Sequence, residues 1–165
     1  MKKFLPVPGR KVFTMPAFID KNVKMKKTLT LIASALMLLS CSGKKVPFTE
    51  MKNYFVNNTV EGSFQGVIDN QADFDRLFGE AALMGTDGRP TTVDFSKEFV
   101  IAVVCEPTEI ATKLEAYSLE KASDGTLLFI YRKTTGERLG YTTHPCLLVK
   151  VPGNYFGSVS IESHR

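Results

Sequence analysis

Phe99–Cys105 reads Phe-Val-Ile-Ala-Val-Val-Cys, seven apolar residues without a break. A run of that length and β-branched content predicts a central strand buried on both faces. Shorter stretches predict its neighbours. Phe64–Ile68 is a strand. Lys113–Lys121 and Thr126–Lys133 flank Ser123-Asp124-Gly125, a hairpin signal. Cys146–Val151 is a strand stopped by Pro152-Gly153. In Phe156–Ser163, Phe156, Ser158 and Ser160 alternate with Gly157, Val159 and Ile161, which predicts a half-exposed last strand. Asn70–Met84 carries helical spacing instead. Asn70 is the cap, Asp73 and Asp75 stand where the helix dipole favours negative charge, and Phe74, Leu77, Phe78 and Ala81 make one apolar face. Gly85 and Asp87-Gly88-Arg89-Pro90 end it. Phe48–Val60 shows no clear period. One helix followed by about five strands predicts an α+β fold: a mostly antiparallel sheet of five to six strands with one packed amphipathic helix, or alternatively a β-sandwich-like arrangement.

The N-terminal pattern is of another kind. Lys26 and Lys27 precede Thr28–Leu39, an uncharged, mostly apolar stretch of twelve residues, and then Ser40-Cys41. Twelve residues fall short of the ~20 that span a bilayer and fit a secretory signal. Leu38-Leu39-Ser40-Cys41 resembles the bacterial lipobox, in which the cysteine takes a diacylglyceryl group and becomes the first mature residue. Cys41 is therefore the predicted lipidation site. Met1–Lys24, before a second Met-Lys-Lys at Met25, has neither helical nor strand period and reads as an over-called start or a disposable extension. The predicted organisation is an extension over 1–24, a lipoprotein signal peptide over 25–40, an anchor and tether over 41–61, and one globular domain over 62–165. Ser42-Gly43-Lys44-Lys45 lacks the acidic residues that accompany surface export in some bacterial groups. It points to a lipid-anchored domain facing the periplasm from the outer membrane.

Removing the signal reverses the charge. The full chain is +4, but eight of its 21 Lys/Arg and only one of its 17 acids precede Cys41. The rest has 13 basic and 16 acidic residues, a net of −3. No basic run follows Lys45, so the pattern of a nucleic-acid footprint is missing.

Three stretches together resemble the C-terminal domain of the PrcB family, lipoprotein subunits of a bacterial protease complex. Asn70–Phe78 (Asn-Gln-Ala-Asp-Phe-Asp-Arg-Leu-Phe) is similar to the helix that opens that domain. Val93–Val103, with Asp94-Phe95-Ser96, is similar to the lead-in to its central strand, and Thr143–Pro152 to that of its penultimate strand. The resemblance covers roughly Gly62–Glu162. Where a typical member has a Thr-Gly-Gly-Tyr loop after the central strand, this chain reads Pro107–Lys113 without glycine. The resemblance implies a non-catalytic envelope protein that assists or restrains a protease, and brings no catalytic residue with it. On the residues alone, Asp94 and Ser96 read as turn formers.

Candidate chemistry is sparse. With Cys41 spent on lipid, Cys105 and Cys146 are left in an oxidising compartment. A disulfide between them and a pair of buried thiols are both open. His144 and Cys146, at i and i+2, share a strand face as a Cys–His hydrolase pair would require, with no third residue to orient the imidazole. His144, Cys105 and Cys146 lack zinc-site spacing, and no nucleotide or nucleophile-elbow motif occurs, so no cofactor or metal is expected. In the aromatic pairs Tyr54-Phe55 and Tyr155-Phe156, strand alternation turns one member inward. Glu106–Thr112, leaving the central strand, is the candidate partner-binding loop, through Glu106, Thr108, Glu109, Ile110 and Thr112. The expected function is a membrane-anchored accessory or inhibitor-like protein that binds a protease or other envelope partner. The alternative is a small-ligand or envelope-component binding lipoprotein with a concave apolar pocket.

Overall fold

The apolar run forms strand β6 (Glu98–Val104), and its inward and outward residues feed two different cores. Phe99, Ile101 and Val103 enter one. Val100, Ala102 and Val104 enter the other. This is why the run has no polar alternation: neither face meets water. The computed structural model describes residues 43–81 and 88–164. Cys41, the segments 1–24 and 25–40, and the last part of the predicted helix, 82–84, lie outside the described residues.

The described chain is mostly antiparallel sheet with one short helix. The remaining strands are β1 (Lys44–Lys45), β2 (Thr49–Glu50), β3 (Tyr54–Val56), β4 (Phe64–Ile68), β5 (Phe78–Glu80), β7 (Thr108–Lys121), β8 (Leu127–Thr143), β9 (Cys146–Pro152) and β10 (Val159–His164). One four-stranded sheet has the order β2-β9-β6-β4 and the other β1-β7-β8-β10. β3 and β5 form a two-stranded ribbon. The two large sheets share the first core: Leu114, Leu119, Leu127, Phe129 and Tyr131 of β7 and β8 meet Phe99, Ile101, Leu147, Val149 and Val151 of β6 and β9. This pair of sheets is the sandwich-like part of the fold. β10 breaks the antiparallel pattern by pairing parallel to β8, Val159 opposite Leu127 through His164 opposite Arg132.

The second core lies on the far face of β6 and β9, beneath the helix and the ribbon. Helix α1 (Gln71–Leu77) starts where the sequence predicts. The Asp73 amide donates to the Asn70 side-chain oxygen at 2.8 Å. Its end differs. The predicted helix runs to Met84, but Phe78–Glu80 turns away as β5, with Val56 opposite Phe78. Phe74 and Phe78 are both buried, so the apolar spacing is honoured while the helical backbone is not. Phe74 sits among Tyr54, Phe78 and Phe95, with ring centroids 5.2, 5.4 and 5.7 Å away.

The chain joins the fold earlier than predicted. Within the predicted tether, 41–61, β1 pairs with the end of β7 and β2 with β9, while Val46, Met51 and Val56 are buried. Strands of two or three residues carry too few positions for a period to show. Each aromatic pair turns one member inward, by strand alternation at Tyr54-Phe55 but through the 3-10 turn Gly153–Tyr155 at Tyr155-Phe156, where the predicted last strand starts only at Val159. Tyr54 and Tyr155 pack against the cores, while Phe55 is 47% exposed and lies over Gly79, and Phe156 is exposed with one edge on Phe99.

Asp94 and Ser96 are turn formers. The Asp94 carboxylate accepts from the Ser96 amide at 3.1 Å and the Lys97 ammonium at 2.7 Å, and the Asp94 carbonyl accepts from the Lys97 and Glu98 amides. Lys97, and then Ser96, hold the Asp94 carboxyl down at about 2. The turn delivers the chain into β6. Behind it the half-buried Lys150 ammonium bridges Glu98 at 3.1 Å and the Thr92 carbonyl at 3.1 Å.

Candidate functional site

Three segments are tied together where β6 leaves its sheet and β9 enters it. The Cys105 amide donates to the Pro145 carbonyl at 2.9 Å. The Glu106 carboxylate accepts from the Ser63 amide at 3.1 Å and the Ser63 hydroxyl at 2.9 Å, both through Oε1. His144 Nε2 lies 3.0 Å from the Gly62 carbonyl and can only donate to it, so the proton of a neutral ring stands on Nε2. Gly62 has φ +74°, a left-handed conformation that glycine adopts without strain.

Above this base the β7–β8 hairpin is irregular. Thr108 faces Thr143, but Ile110 faces Arg138 and Thr112 faces Thr135, so β8 carries surplus residues that bulge out of register. Bulges bend a ribbon and strengthen its twist. Two clefts open around Pro107. The larger, about 620 Å³, lies between the bent ribbon and the ends of β4 and β6. The smaller, about 430 Å³, lies between Phe55, Val60, Pro107 and His144. Ile110, 37% exposed, lines the larger one. Tyr141, 64% exposed, stands on the bulged stretch beside Thr142, which lines the smaller.

The predicted binding residues separate at this end. Glu106, Thr108, Ile110 and Thr112 line the larger cleft. Glu109 does not. It is held by Arg138, whose Nε donates at 3.0 Å. The segment is also not the loop that the sequence predicts. Strand β7 already begins at Thr108. The Ile110 amide donates to the Thr108 hydroxyl, and the Thr112 hydroxyl donates to the Ile110 carbonyl, so side chains of the same strand serve the Ile110 backbone. Polar Thr and Glu between Pro107 and Lys113 hide this strand from an apolar-alternation reading.

Sequence reasoning missed six cleft residues: Ser63, Gln65, Val104, Tyr131, Lys133 and Thr135. The signal for two of them was present. Along β8, Leu127, Phe129 and Tyr131 point into the first core, and period two carries Lys133 and Thr135 on to the same face. The core becomes polar as it reaches the opening.

Of the two arrangements the sequence leaves open, the structure has Cys105 and Cys146 as free thiols. Register explains it. Cys146 stands opposite Val104, so it shares that residue's face and packs on the second core. Cys105 is one residue on, points to the opposite face and packs on the first core. Burial, with the nearby Cys105 adding to it, pushes the Cys146 thiol up to about 11. At neutral pH it is a thiol, whereas a Cys–His nucleophile works as thiolate. Alkylating the folded protein at pH 8 is expected to label Cys105, which lines the cleft, well before Cys146. Alkylation after denaturation without reductant is expected to label both, read as two adducts by intact mass. A disulfide would leave both unlabelled.

Among the described residues, no group of three or more His, Cys, Asp or Glu side chains is placed to hold a metal ion. The site thus belongs to an antiparallel, sheet-rich fold with an open, mixed-polarity cleft at one end. In comparisons with known proteins, the chain matches no protein-family model, no curated protein and no solved structure.

Proposed function

We propose that this protein is a membrane-anchored, non-catalytic envelope lipoprotein that binds a protein partner at the β6–β9 end of its sandwich. The resemblance to the PrcB family makes that partner a protease or a component of its complex. The observation that carries the reading is the position of Glu106–Thr112. Four of the five residues singled out as a contact segment line the larger of two clefts that share Pro107, and exposed Phe55, Ile110 and Tyr141 stand nearby. Exposed aromatic and aliphatic side chains around concave, partly polar surface are the usual makings of a protein contact.

The non-catalytic part rests on chemistry. The Cys146 thiol is protonated at neutral pH, and the His144 imidazole donates to a backbone carbonyl. Lipid on Cys41, with each buried CH₂ contributing about 0.8 kcal/mol, would hold the domain at the periplasmic face of the outer membrane. The larger cleft also favours a second reading, in which a small polar ligand occupies it.

Photo-crosslinking in envelope fractions tests the proposal. The lipidated chain carries the crosslinker at Ile110, and the same chain with Cys41→Ser is the unanchored control. A discrete protein adduct on the anchored chain is expected. No adduct from either chain would sink the reading.

A further inference from the structure

The larger cleft holds an arrangement that structural packing leaves unused. Lys133 extends the inward-facing row Leu127, Phe129, Tyr131 and stands opposite Leu114 at the edge of the first core. Lys133 is exposed, and among the described residues its ammonium, like those of Lys44, Lys45 and Lys121, makes no ion pair and no hydrogen bond. Two residues back on the same strand and face, the Tyr131 hydroxyl accepts from the Gln65 side-chain amide at 3.0 Å. That bond uses an oxygen lone pair, so the hydroxyl proton remains to be donated. Positions i and i+2 of a strand are about 7 Å apart. The ammonium and the phenol can therefore converge on one small anion.

The rest of the cleft limits which anion. Glu106 lines the same space. Its Oε1 holds Ser63, while its Oε2 accepts from no group among the described residues. One cation and one carboxylate suit a monoanionic group attached to a hydrogen-bond donor, with the donor on Glu106 Oε2. A dianionic phosphate would bring more charge than Lys133 balances and would face the Glu106 carboxylate. Thr108, Thr112 and Thr135 add hydroxyls along the ribbon wall.

We propose that Tyr131 and Lys133 form a carboxylate-binding pair in the larger cleft. The carboxylate belongs to a short polar ligand or to the end of a chain. The proposal rests on the reading that this end of the sandwich is a binding surface, and it adds the chemical group bound there. A charge-assisted hydrogen bond is stronger than a neutral one, so losing the charge on either side is expected to cost about tenfold or more in affinity.

The test is calorimetric titration of the lipidated protein in detergent micelles with three probes: N-acetyl-trialanine with a free carboxylate, the same peptide capped as an amide, and glucuronate. The free acid is expected to bind at least about tenfold more tightly than the amide. Lys133→Met, which keeps the apolar stem, is expected to reduce the acid to the amide's level. Tyr131→Phe is expected to weaken acid binding by a smaller factor. Lys113→Met, which removes an ammonium already paired with Glu115, is expected to change nothing. Binding of the peptide without glucuronate assigns the carboxylate to a chain end, and the reverse assigns it to a sugar acid. Equal binding of acid and amide, discrimination that survives Lys133→Met, or no binding of either acid at millimolar concentration overturns the proposal. If the unsubstituted protein binds neither acid but still gives the Ile110 crosslink to an envelope protein, the carboxylate pair fails and the partner reading stands.

Discussion

Phe129→Ala is expected to lower the free energy of unfolding by about 3–5 kcal/mol, the usual range for removing a buried aromatic ring. Phe129 is 0% exposed on β8 and faces the first core, with Phe48 edge-on at 6.2 Å. It belongs to the sheet opposite β6, so its ring fills space that both sheets line. A cavity there cannot be closed by one strand moving alone, which places the cost at the upper part of the range. Val67→Ala is the control. Val67 is 36% exposed on edge strand β4, and its loss is expected to cost under about 1 kcal/mol. Urea unfolding of the two variants measures the difference. A Phe129→Ala cost as small as that of Val67→Ala would mean the two sheets do not share a core at this point.

Gly153→Ala is expected to cost about 1–3 kcal/mol for a different reason. An added Cβ would lie 2.8 Å from the Lys97 carbonyl oxygen and 3.2 Å from its carbon. Both are backbone atoms, so no side-chain rotation relieves the contact. The Gly153 amide also donates to that oxygen at 2.6 Å, joining the end of β9 to the Asp94–Lys97 turn that feeds β6. Moving the two segments apart would lengthen this bond. Gly66→Ala is the comparison, because a Cβ there meets nothing within 4 Å. It is expected to be close to neutral by the same unfolding measurement. Equal effects of the two alanines would show that the close approach at Gly153 carries no energetic weight.

The strands with dry faces were legible in the sequence. The run at Phe99 required a central position, Phe64–Ile68 was bounded as found, and Ser123-Asp124-Gly125 marked the hairpin turn. What long-range pairing decides was not. Phe78 satisfies helical spacing from Phe74 and strand pairing with Val56 equally well, and the second wins because β3 is there to receive it. The two cysteines both lie at strand ends, but only the register tells which faces they take. The same holds for the cleft. Period two would have set Lys133 on the face of Phe129, which sequence reasoning missed, and the concavity around it depends on bulges between β7 and β8 that no local pattern announces. The segment singled out as a contact lies mostly along the larger cleft but is strand rather than loop, because a polar strand and a loop look alike in composition.

The most direct test of the binding end is position-resolved crosslinking of the lipidated protein in its own envelope. One chain carries the photo-crosslinker at Ile110, on the cleft, and another at Asp124, in the hairpin turn at the opposite end of β7. The account predicts a discrete protein adduct from Ile110 and none from Asp124. The same adduct from both positions, or from Asp124 alone, would contradict it.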